Sequence, residues 1–461
     1  MRIGDFIPSA RSHRGMLGCA AGGLLTLIAS GSSLAGEDAN TVSLPKAAGV
    51  SVHFQSTLIP QGYLPFQKGA DDPASGNGIS TETLTMTGYF GARLWQGGEF
   101  FVNPEIFQGF LSRDFSPRGV AIAASVGNGE AQKGGRWDPD TYVARAYFAQ
   151  TIGFGGEQEE IKDDLNQIAG KKDVSRLTLT VGKLSATDIF DANAYSHDTR
   201  TQFMNWALFD GGAFDYAADV KGYTWGAVAD LNQKNWAARI GYFLLPDQPN
   251  LLTFDTRIPA HGSVIAELEG RYNLFSQPGK LRLTGWENTG ILGNYAEAVA
   301  LSPADASASI DATRRVRTTY GYVVNLEQQL RENVGAFFRY SWNAGQNELC
   351  CFTDITGSVS GGLSIKGASW GRPDDTFGAA GALNEISHSL QSYLAASGRG
   401  LLIGNGALPS YAGEKVFETY YSYAVSGNVT VSADYQWIGN AAYFAERSPI
   451  NMFSGRVHVQ F

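Results

Sequence analysis

Several long segments of this chain alternate apolar and polar side chains. In residues 428–437, which read NVTVSADYQW, every second side chain is polar and the side chains between them are apolar. The same period of two recurs in four further segments: residues 266–274, 314–327, 334–342 and 453–461. Successive side chains of a β-strand point to opposite faces of its sheet, so this pattern predicts strands with one apolar and one polar face.

These predicted strands are long, and their polar faces carry charge. Each spans nine residues or more, whereas strands of soluble sheets usually have about five or six, and a tilted strand needs about 9–11 to cross a bilayer. Glu267 and Glu269 share one polar face, which a water-filled lumen tolerates and a packed core does not. The segments favour a transmembrane antiparallel β-barrel, an all-β fold. A soluble β-sandwich or β-helix with one wet face stays open on periodicity alone.

The composition agrees with a single barrel. The 461 residues include 56 Gly and 12% aromatic residues, and only 17% are charged, against roughly 25% in soluble domains. Clusters of Gly, Pro and Ser recur as turns throughout the chain, and none marks a domain boundary. At roughly 23–27 residues per strand with its loop, the chain predicts about 16 strands, or up to about 18, a size that encloses an aqueous channel.

Charge and cysteine content exclude other classes of protein. The formal net charge of −9 argues against a nucleic-acid partner, which would select a basic face. Three Cys are too few for a disulfide scaffold. Adjacent Cys350 and Cys351 lie in a predicted loop, where they could form a vicinal disulfide or stay unpaired.

The first residues have the features of a secretory signal peptide. Three arginines precede an apolar stretch, residues 15–29, which is shorter than the ~20 residues of a transmembrane helix. Small residues follow it, so we expect a signal peptide over residues 1–35, cleaved after Ala35. The remainder, residues 36–461, is then expected to form one outer-membrane barrel domain.

The last residues carry a second localisation signal. The alternating segment 453–461 closes on Phe461, a form typical of strands read by the machinery that assembles outer-membrane barrels. We therefore expect a protein of the Gram-negative outer membrane, with membrane lipids and this machinery as partners.

Two segments do not alternate. Residues 156–174 are rich in charge and predict a solvated loop, which could include a short helical turn. Residues 384–396 place Ile386, Leu390 and Leu394 four residues apart, which predicts a short amphipathic helix packed on a loop or in the vestibule.

No catalytic arrangement emerges from the sequence. Residues 367–371 match Gly-x-Ser-x-Gly, but Arg372-Pro373 follows where the nucleophile elbow needs a helix. The histidines show no spacing typical of metal ligands, and no nucleotide-binding fingerprint is present. We expect no catalytic residue, no metal and no cofactor.

Ionisable and aromatic side chains are interleaved in residues 91–109, 177–195 and 203–225. Aromatic rings stack on the apolar faces of sugars, and carboxylates, amides and guanidinium groups pair with sugar hydroxyls. The mixture suits a sugar ligand, and it also suits ordinary lumen and turn residues.

At these residues the chain resembles the carbohydrate-selective porin (OprB) family of Gram-negative outer membranes. The matching stretches are GARLWQGGEFFVNPEIFQG (91–109), GKLSATDIFDANAYSHDTRTQFMNWALFDGGAFDYAADVKGYTWG (182–226), ALNEISHSLQSYLAASGRGLLIGNG (382–406) and the end of the chain, from EKVFETYYSYAV through RVHVQF. They span most of the chain in the family's order.

This resemblance implies a barrel of about 16 strands, a lumen narrowed by inward loops, and passive diffusion of small sugars such as glucose. Family members are thought to line the constriction with arginines, acidic residues and aromatic residues. The resemblance carries this role to seven positions: Arg93, Glu105, Lys183, Asp188, Asp191, Asn205 and Trp206.

Two other functions compete with a sugar channel. The same barrel could be a general porin or an exporter of acidic polysaccharide, although an exporter would need a strongly cationic lumen. A barrel enzyme, such as an outer-membrane lipase or protease, is the alternative from another class. Each of these candidate functions is compatible with an oligomer.

Overall fold

The structure is a computed structural model that describes residues 49–69, 72, 74, 76–109, 122–133, 136–303, 307–404 and 408–461. The expected signal peptide, residues 1–35, lies outside these residues.

Most of the described chain is β-strand. The strands are β1 (Val50–Tyr63), β2 (Ile79–Trp95), β3 (Gly98–Gly109), β4 (Arg136–Gly153), β5 (Gln158–Ile161), β6 (Gly170–Asp173), β7 (Arg176–Leu184), β8 (Thr224–Asn232), β9 (Trp236–Phe243), β10 (Gly262–Leu274), β11 (Gln277–Leu292), β12 (Arg315–Arg331), β13 (Val334–Asn343), β14 (Gly357–Gly367), β15 (Arg372–Glu385), β16 (Glu414–Ala424), β17 (Val429–Gly439) and β18 (Ile450–Gln460).

Sixteen of the strands in the described chain form one closed antiparallel barrel, and β5 and β6 form a separate two-stranded sheet. Each barrel strand pairs with its neighbours in the chain, and β1 closes the ring by pairing with β18, for example Leu58 with Val457. The predicted fold class and strand number are confirmed.

The barrel is apolar outside and polar inside. In β17, Ser432, Asp434 and Gln436 are buried while Val431 is exposed. On β10, Leu268 is 61% exposed and its neighbour Glu267 is 2% exposed. This distribution inverts that of a soluble protein, as expected where lipid covers the outside of the wall.

The two ends of the barrel differ. At one end of the barrel, β1 begins and β18 ends, and we call it the terminus end. Tight turns of a few residues join most strands there. Long connections join them at the opposite, loop end. Outer-membrane barrels have short periplasmic turns and long extracellular loops.

Three short helices lie in the loop-end connections of the described chain: α1 (Trp206–Phe209), α2 (Tyr295–Leu301) and α3 (His388–Ala395). None of them is long and apolar enough to cross a membrane. The predicted helix over residues 384–396 exists but begins later, because Asn384 still belongs to β15 and Ser387 caps α3 by accepting a hydrogen bond from the Leu390 amide.

The prediction for residues 156–174 needs a correction, because the segment contains the β5–β6 hairpin rather than a helical turn. Its cross-strand pairs have opposite charges: Glu159 lies opposite Lys172, and Glu160 lies opposite Lys171. Such pairs stabilise an antiparallel ladder. The Lys172 ammonium also contacts Glu99 of the wall at 3.0 Å, so the hairpin is tied to the terminus end of the barrel.

The apolar core lies inside the barrel. The connection between β7 and β8, residues 185–223, folds into the lumen, and we call it the inward segment. Its Phe190, Phe203, Trp206 and Phe214 are fully buried. They pack with residues of the wall and of other loops into one hydrophobic cluster.

Carboxylates of the wall hold this segment in place through its backbone. Glu418 of β16 accepts hydrogen bonds from the amides of Met204 and Asn205 at 2.7 and 2.9 Å. Glu267 of β10 accepts from the Asp191 amide at 2.8 Å. A buried amide without a partner is costly, so each wall carboxylate fixes the place where the segment crosses the lumen.

Glu418→Ala is expected to lower the stability of the barrel by on the order of 2–5 kcal/mol, because two buried amides lose their acceptor. The measurement is the temperature at which the folded form, resolved by its mobility in detergent gels, converts to the unfolded form. Glu332→Ala, which removes an exposed carboxylate from the turn between β12 and β13, is the matched control. Equal conversion temperatures for both variants would contradict the anchoring role of Glu418.

Candidate functional site

A cavity of about 300 Å³ lies between the inward segment and the wall formed by β1–β4. Aromatic rings, cations and anions all reach it. The lining side chains include Tyr89, Glu130, Lys133, Arg145, Asp188, His197, Asp198, Arg200, Phe209, Asp210, Tyr216, Lys221, Tyr223 and Phe352.

The first pair of cations shares two carboxylates. Arg200 lies 2.8 Å from Glu105 and 3.3 Å from Glu130. Lys133 lies 3.1 and 3.2 Å from the same two groups. Burial by itself would raise the pKa of Glu130, but Arg200 and Lys133 outweigh it and lower that pKa to about 2. Both cations are therefore neutralised where they meet the cavity.

The second pair of cations is also matched. The Arg145 guanidinium donates to Asp188 at 2.7 Å, and Lys221 pairs with Asp140. Asp188 in turn accepts from the Ser185 amide at 3.0 Å, which fixes the start of the inward segment. The cavity is thus strongly polar, yet each of its four lining cations contacts a carboxylate.

Aromatic rings form the opposite side of the cavity. Trp206 lies behind them, with ring centroids 5.4 Å from Phe209 and 6.0 Å from Tyr216. Phe352, from the β13–β14 connection, lies 5.6 Å from Tyr216. Gly129 must be small here, because a Cβ would come within 2.5 Å of the Phe209 ring. The rings are therefore held rigidly beside the charged groups.

Cys350 and Cys351, next to Phe352, form a disulfide bond, which decides between the two states that the sequence left open. Their amides donate to the carboxylate of Asp215 at 2.8 and 2.9 Å. Burial raises the pKa of Asp215 to about 7, although these two donors oppose the shift. These two hydrogen bonds join the β13–β14 connection to the inward segment.

Two of the seven predicted pore residues meet at this cavity. Asp188 lines it. Glu105 is fully buried directly beneath it and contacts Arg200 and Lys133.

Two others lie elsewhere in the barrel. Arg93 is at the terminus end, where its guanidinium contacts Glu99 at 2.9 Å and donates to the Ala169 carbonyl at 3.2 Å. The Lys183 ammonium lies 3.8 Å from Asp219 and does not line the cavity.

The remaining three build the inward segment. Asp191 is fully buried against Arg339 at 3.2 Å. Asn205 caps α1 by accepting from the Ala207 amide at 3.1 Å. The Trp206 indole donates to the Gly212 carbonyl at 2.9 Å, and its ring is fully buried. Burial removes these side chains from the cavity surface.

Several lining residues were missed by the sequence reasoning. His197, Arg200 and Asp210 lie within the stretch 182–226 that carries the family resemblance, so that stretch contained a signal for them. Lys133 follows a segment without periodicity, and no neighbouring sequence pattern indicated that it would line the cavity.

The Gly-x-Ser-x-Gly match, residues 367–371, forms the hairpin turn between β14 and β15. A strand follows Ser369 rather than the helix of a nucleophile elbow. The structure therefore agrees with the interpretation that this motif match arises by chance.

A larger chamber of about 670 Å³ opens on the terminus-end side of the inward segment. His53, Lys366, Asn428 and Phe461 are among its lining residues. Gln202 of the inward segment faces this chamber, whereas Arg200 faces the cavity. The segment therefore separates the two spaces.

Solved structures share this architecture. The structure of Pseudomonas putida OprB at high pH matches with a TM-score of 0.65 and 15% identity, covering 96% of this chain and 97% of that one. The outer-membrane channel DcaP of Acinetobacter baumannii matches with a TM-score of 0.50 and 8% identity, covering 91% of this chain and 100% of that one. At such low identity the likeness concerns the fold.

Comparison of the sequence with known proteins and families identifies the family of the chain. No curated protein matches it. Residues 91–461 match the family described as carbohydrate-selective porin, OprB family. The match covers all barrel strands from β3 onward together with the inward segment. The chain therefore belongs to the OprB family of carbohydrate-selective porins, and it is a diffusion channel for carbohydrates in the outer membrane of a Gram-negative bacterium.

Proposed function

We propose that the cavity between the inward segment and β1–β4 is the constriction through which small, uncharged sugars such as glucose diffuse. The observation that carries this proposal is the composition of its lining. Rigid aromatic rings lie on one side, and cations neutralised by carboxylates lie on the other. A volume of about 300 Å³ is at the small end of ligand sites, which span roughly 300–1,000 Å³.

Each part of this lining suits a sugar. Phe209, Tyr216 and Phe352 offer apolar ring surface to the C–H face of a pyranose. Carboxylate and guanidinium groups exchange hydrogen bonds with hydroxyls as water does, so a sugar loses little on leaving solution. Because conduction requires binding that is weak enough to release the solute, a polar and electrically balanced site favours passage over retention.

The charge pairing weighs against the competing functions. An exporter of acidic polysaccharide needs cations that are free to bind carboxylates of its cargo, whereas Arg200, Lys133, Arg145 and Lys221 already have anionic partners. A general porin remains the second candidate, since a polar lumen alone passes many small solutes. Transport on this proposal is passive and involves no chemical step.

The remaining interactions of the protein are proposals at the level of the whole barrel. The exposed apolar side chains on the outer faces of the strands are suited to contact outer-membrane lipids. We further propose that residues 1–35 are removed on export and that β18, with Phe461, is read by the barrel-assembly machinery. Either a monomer or an oligomer is compatible with a pathway inside one barrel.

The first prediction is that glucose blocks the open channel in a saturable way. A sugar that occupies the constriction displaces ions, so single-channel conductance in a planar bilayer should fall with glucose concentration toward a plateau. An uncharged polymer too large to enter the barrel serves as the control for viscosity. Open steps that respond to glucose no more than to this polymer would favour a general porin.

The second prediction concerns the charge balance of the cavity. Glu105→Gln leaves Arg200 and Lys133 with one carboxylate between them, so the channel should shift toward anion selectivity. The measurement is the reversal potential across a salt gradient. Glu99→Gln is the matched control, because Glu99 is also a buried β3 carboxylate that contacts one Arg and one Lys, but at the terminus end. Equal shifts in both variants would contradict the placement of the constriction.

A further inference from the structure

We propose that Asp210 and His197 are the hydroxyl-binding pair of the constriction, each accepting a hydrogen bond from one of two adjacent hydroxyls of a passing sugar. This inference rests on the proposed function of the cavity and names the two residues that give it affinity. A second part follows from the chemistry of the pair: sugar binding weakens as the pH falls.

Asp210 is a buried carboxylate whose Oδ1 accepts no hydrogen bond from the described residues. The residue is 1% exposed and lines the cavity. Its Oδ1 lies 3.2 Å from Nδ1 of His197, and neither atom has a hydrogen-bond partner of good geometry among the described residues. A buried polar group without partners is costly and calls for an explanation, and at the lining of a cavity a ligand that supplies the missing bond is one.

The other anions at the cavity are satisfied by the protein. Asp188 accepts from Arg145 and from the Ser185 amide. Asp198 accepts from the Thr201 hydroxyl at 2.7 Å and from the Arg200 amide at 2.9 Å. A sugar hydroxyl that approached these groups would have to displace an existing donor. Asp210 is the acceptor that needs no displacement.

His197 is oriented by its other nitrogen. Its Nε2 lies 3.0 Å from the carbonyl oxygen of Thr187, which can only accept, so the proton of a neutral ring belongs on Nε2. Nδ1 then carries the free lone pair of the ring, 3.2 Å from Asp210 Oδ1 and without a hydrogen bond between the two atoms. Two acceptors 3.2 Å apart are matched by two donors, and a pair of neighbouring sugar hydroxyls presents its O–H groups with about this spacing.

The wall holds this arrangement from behind. Arg339 of β13 donates to the carbonyls of Ser196 at 2.7 Å and Leu208 at 2.8 Å. Ser196 precedes His197, and Leu208 lies two residues before Asp210. Arg339 thus fixes both arms of the inward segment that carry the pair and acts as a positioning residue.

Protonation of His197 or Asp210 occupies the acceptor atoms that the sugar hydroxyls would use. Burial would lower the pKa of His197, but the neighbouring Asp210 carboxylate outweighs it and raises that pKa above its usual value. Burial raises the pKa of Asp210, and His197 opposes part of that shift. Falling pH therefore first places a proton between the two residues, where it competes with the sugar, and then removes the carboxylate charge. Both steps weaken sugar binding.

Other charges also face the pair. Arg339 opposes protonation of His197, and Asp191 favours it. The remaining charged groups around the cavity are Glu130, Lys133, Arg145, Asp188, Asp198, Arg200 and Lys221. Glu130 stays ionised until about pH 2. A change in sugar affinity above pH 6 therefore does not come from this carboxylate. Asp215, whose pKa is about 7, is unchanged in His197→Gln, so the part of the pH dependence that this variant removes belongs to the His197–Asp210 pair.

The experiment is glucose block of single channels, measured from pH 5 to pH 9 for the refolded mature protein, residues 36–461. For the wild type we expect the block to strengthen as the pH rises. Asp210→Asn should weaken it at pH 8 by about tenfold or more, which corresponds to the loss of a hydrogen bond to a charged group. His197→Gln keeps an N–H for the Thr187 carbonyl and should abolish most of the pH dependence. Asp374→Asn, an exposed carboxylate beside the terminus-end chamber, is the control.

Each outcome decides one question. If glucose blocks the wild type and Asp210→Asn equally at pH 8, the role of Asp210 is overturned while the sugar channel stands. If the wild type shows no block at any pH, the proposed function itself fails. If Asp210→Asn does not fold, as judged by gel mobility, the His197→Gln profile decides, and a pH dependence equal to the wild type would overturn the pair.

Discussion

The structure depends on buried carboxylates of the barrel wall that accept hydrogen bonds from backbone amides of the chain inside it. Glu418 and Glu267 do this for the inward segment, and Glu414 does it for Ala124 and Ser125 of the β3–β4 connection, both at 2.8 Å. A segment without regular structure carries amides that no ladder satisfies, so it can be buried only where partners are provided. The wall supplies them, and the lumen can therefore hold an ordered loop rather than water alone.

This constraint follows from the membrane. The outer face of the wall must be apolar, so the alternation of each strand places its polar side chains inward. Those side chains cannot form an apolar core with one another. The inward segment supplies the apolar side chains that the inner face of the wall lacks. The ring centroid of its Phe203 lies 5.6 Å from that of Phe337 and 5.0 Å from that of Tyr420, both in the wall. Its backbone meets the wall carboxylates while its rings form the core, and the space left on the β1–β4 side is the cavity that we propose as the constriction.

Sequence reasoning reached the parts of the structure that have a local signature. A period of two is visible within one strand, so β10, β12, β13, β17 and β18 and the inside–outside assignment of their faces could be predicted. Strand ends could not, because β12 continues to Arg331 and β18 begins at Ile450 where pairing with neighbours, rather than alternation, sustains the strand. Of the seven predicted pore residues, Asp188 and Glu105 meet at the cavity, whereas Asp191, Asn205 and Trp206 serve the fold of the inward segment.

The difference between these residues has a physical origin. A residue type suited to a sugar is equally suited to the inside of a barrel, since both require aromatic rings beside hydrogen-bonding groups. Asp191 and Asp210 are both buried carboxylates of one segment. Arg339 contacts the first at 3.2 Å, whereas the second lines the cavity with an Oδ1 that has no hydrogen-bond partner among the described residues. Only the path of the chain decides which of them is satisfied by protein. Selectivity can therefore change through a few loop positions while the wall, which carries the detectable pattern, stays the same.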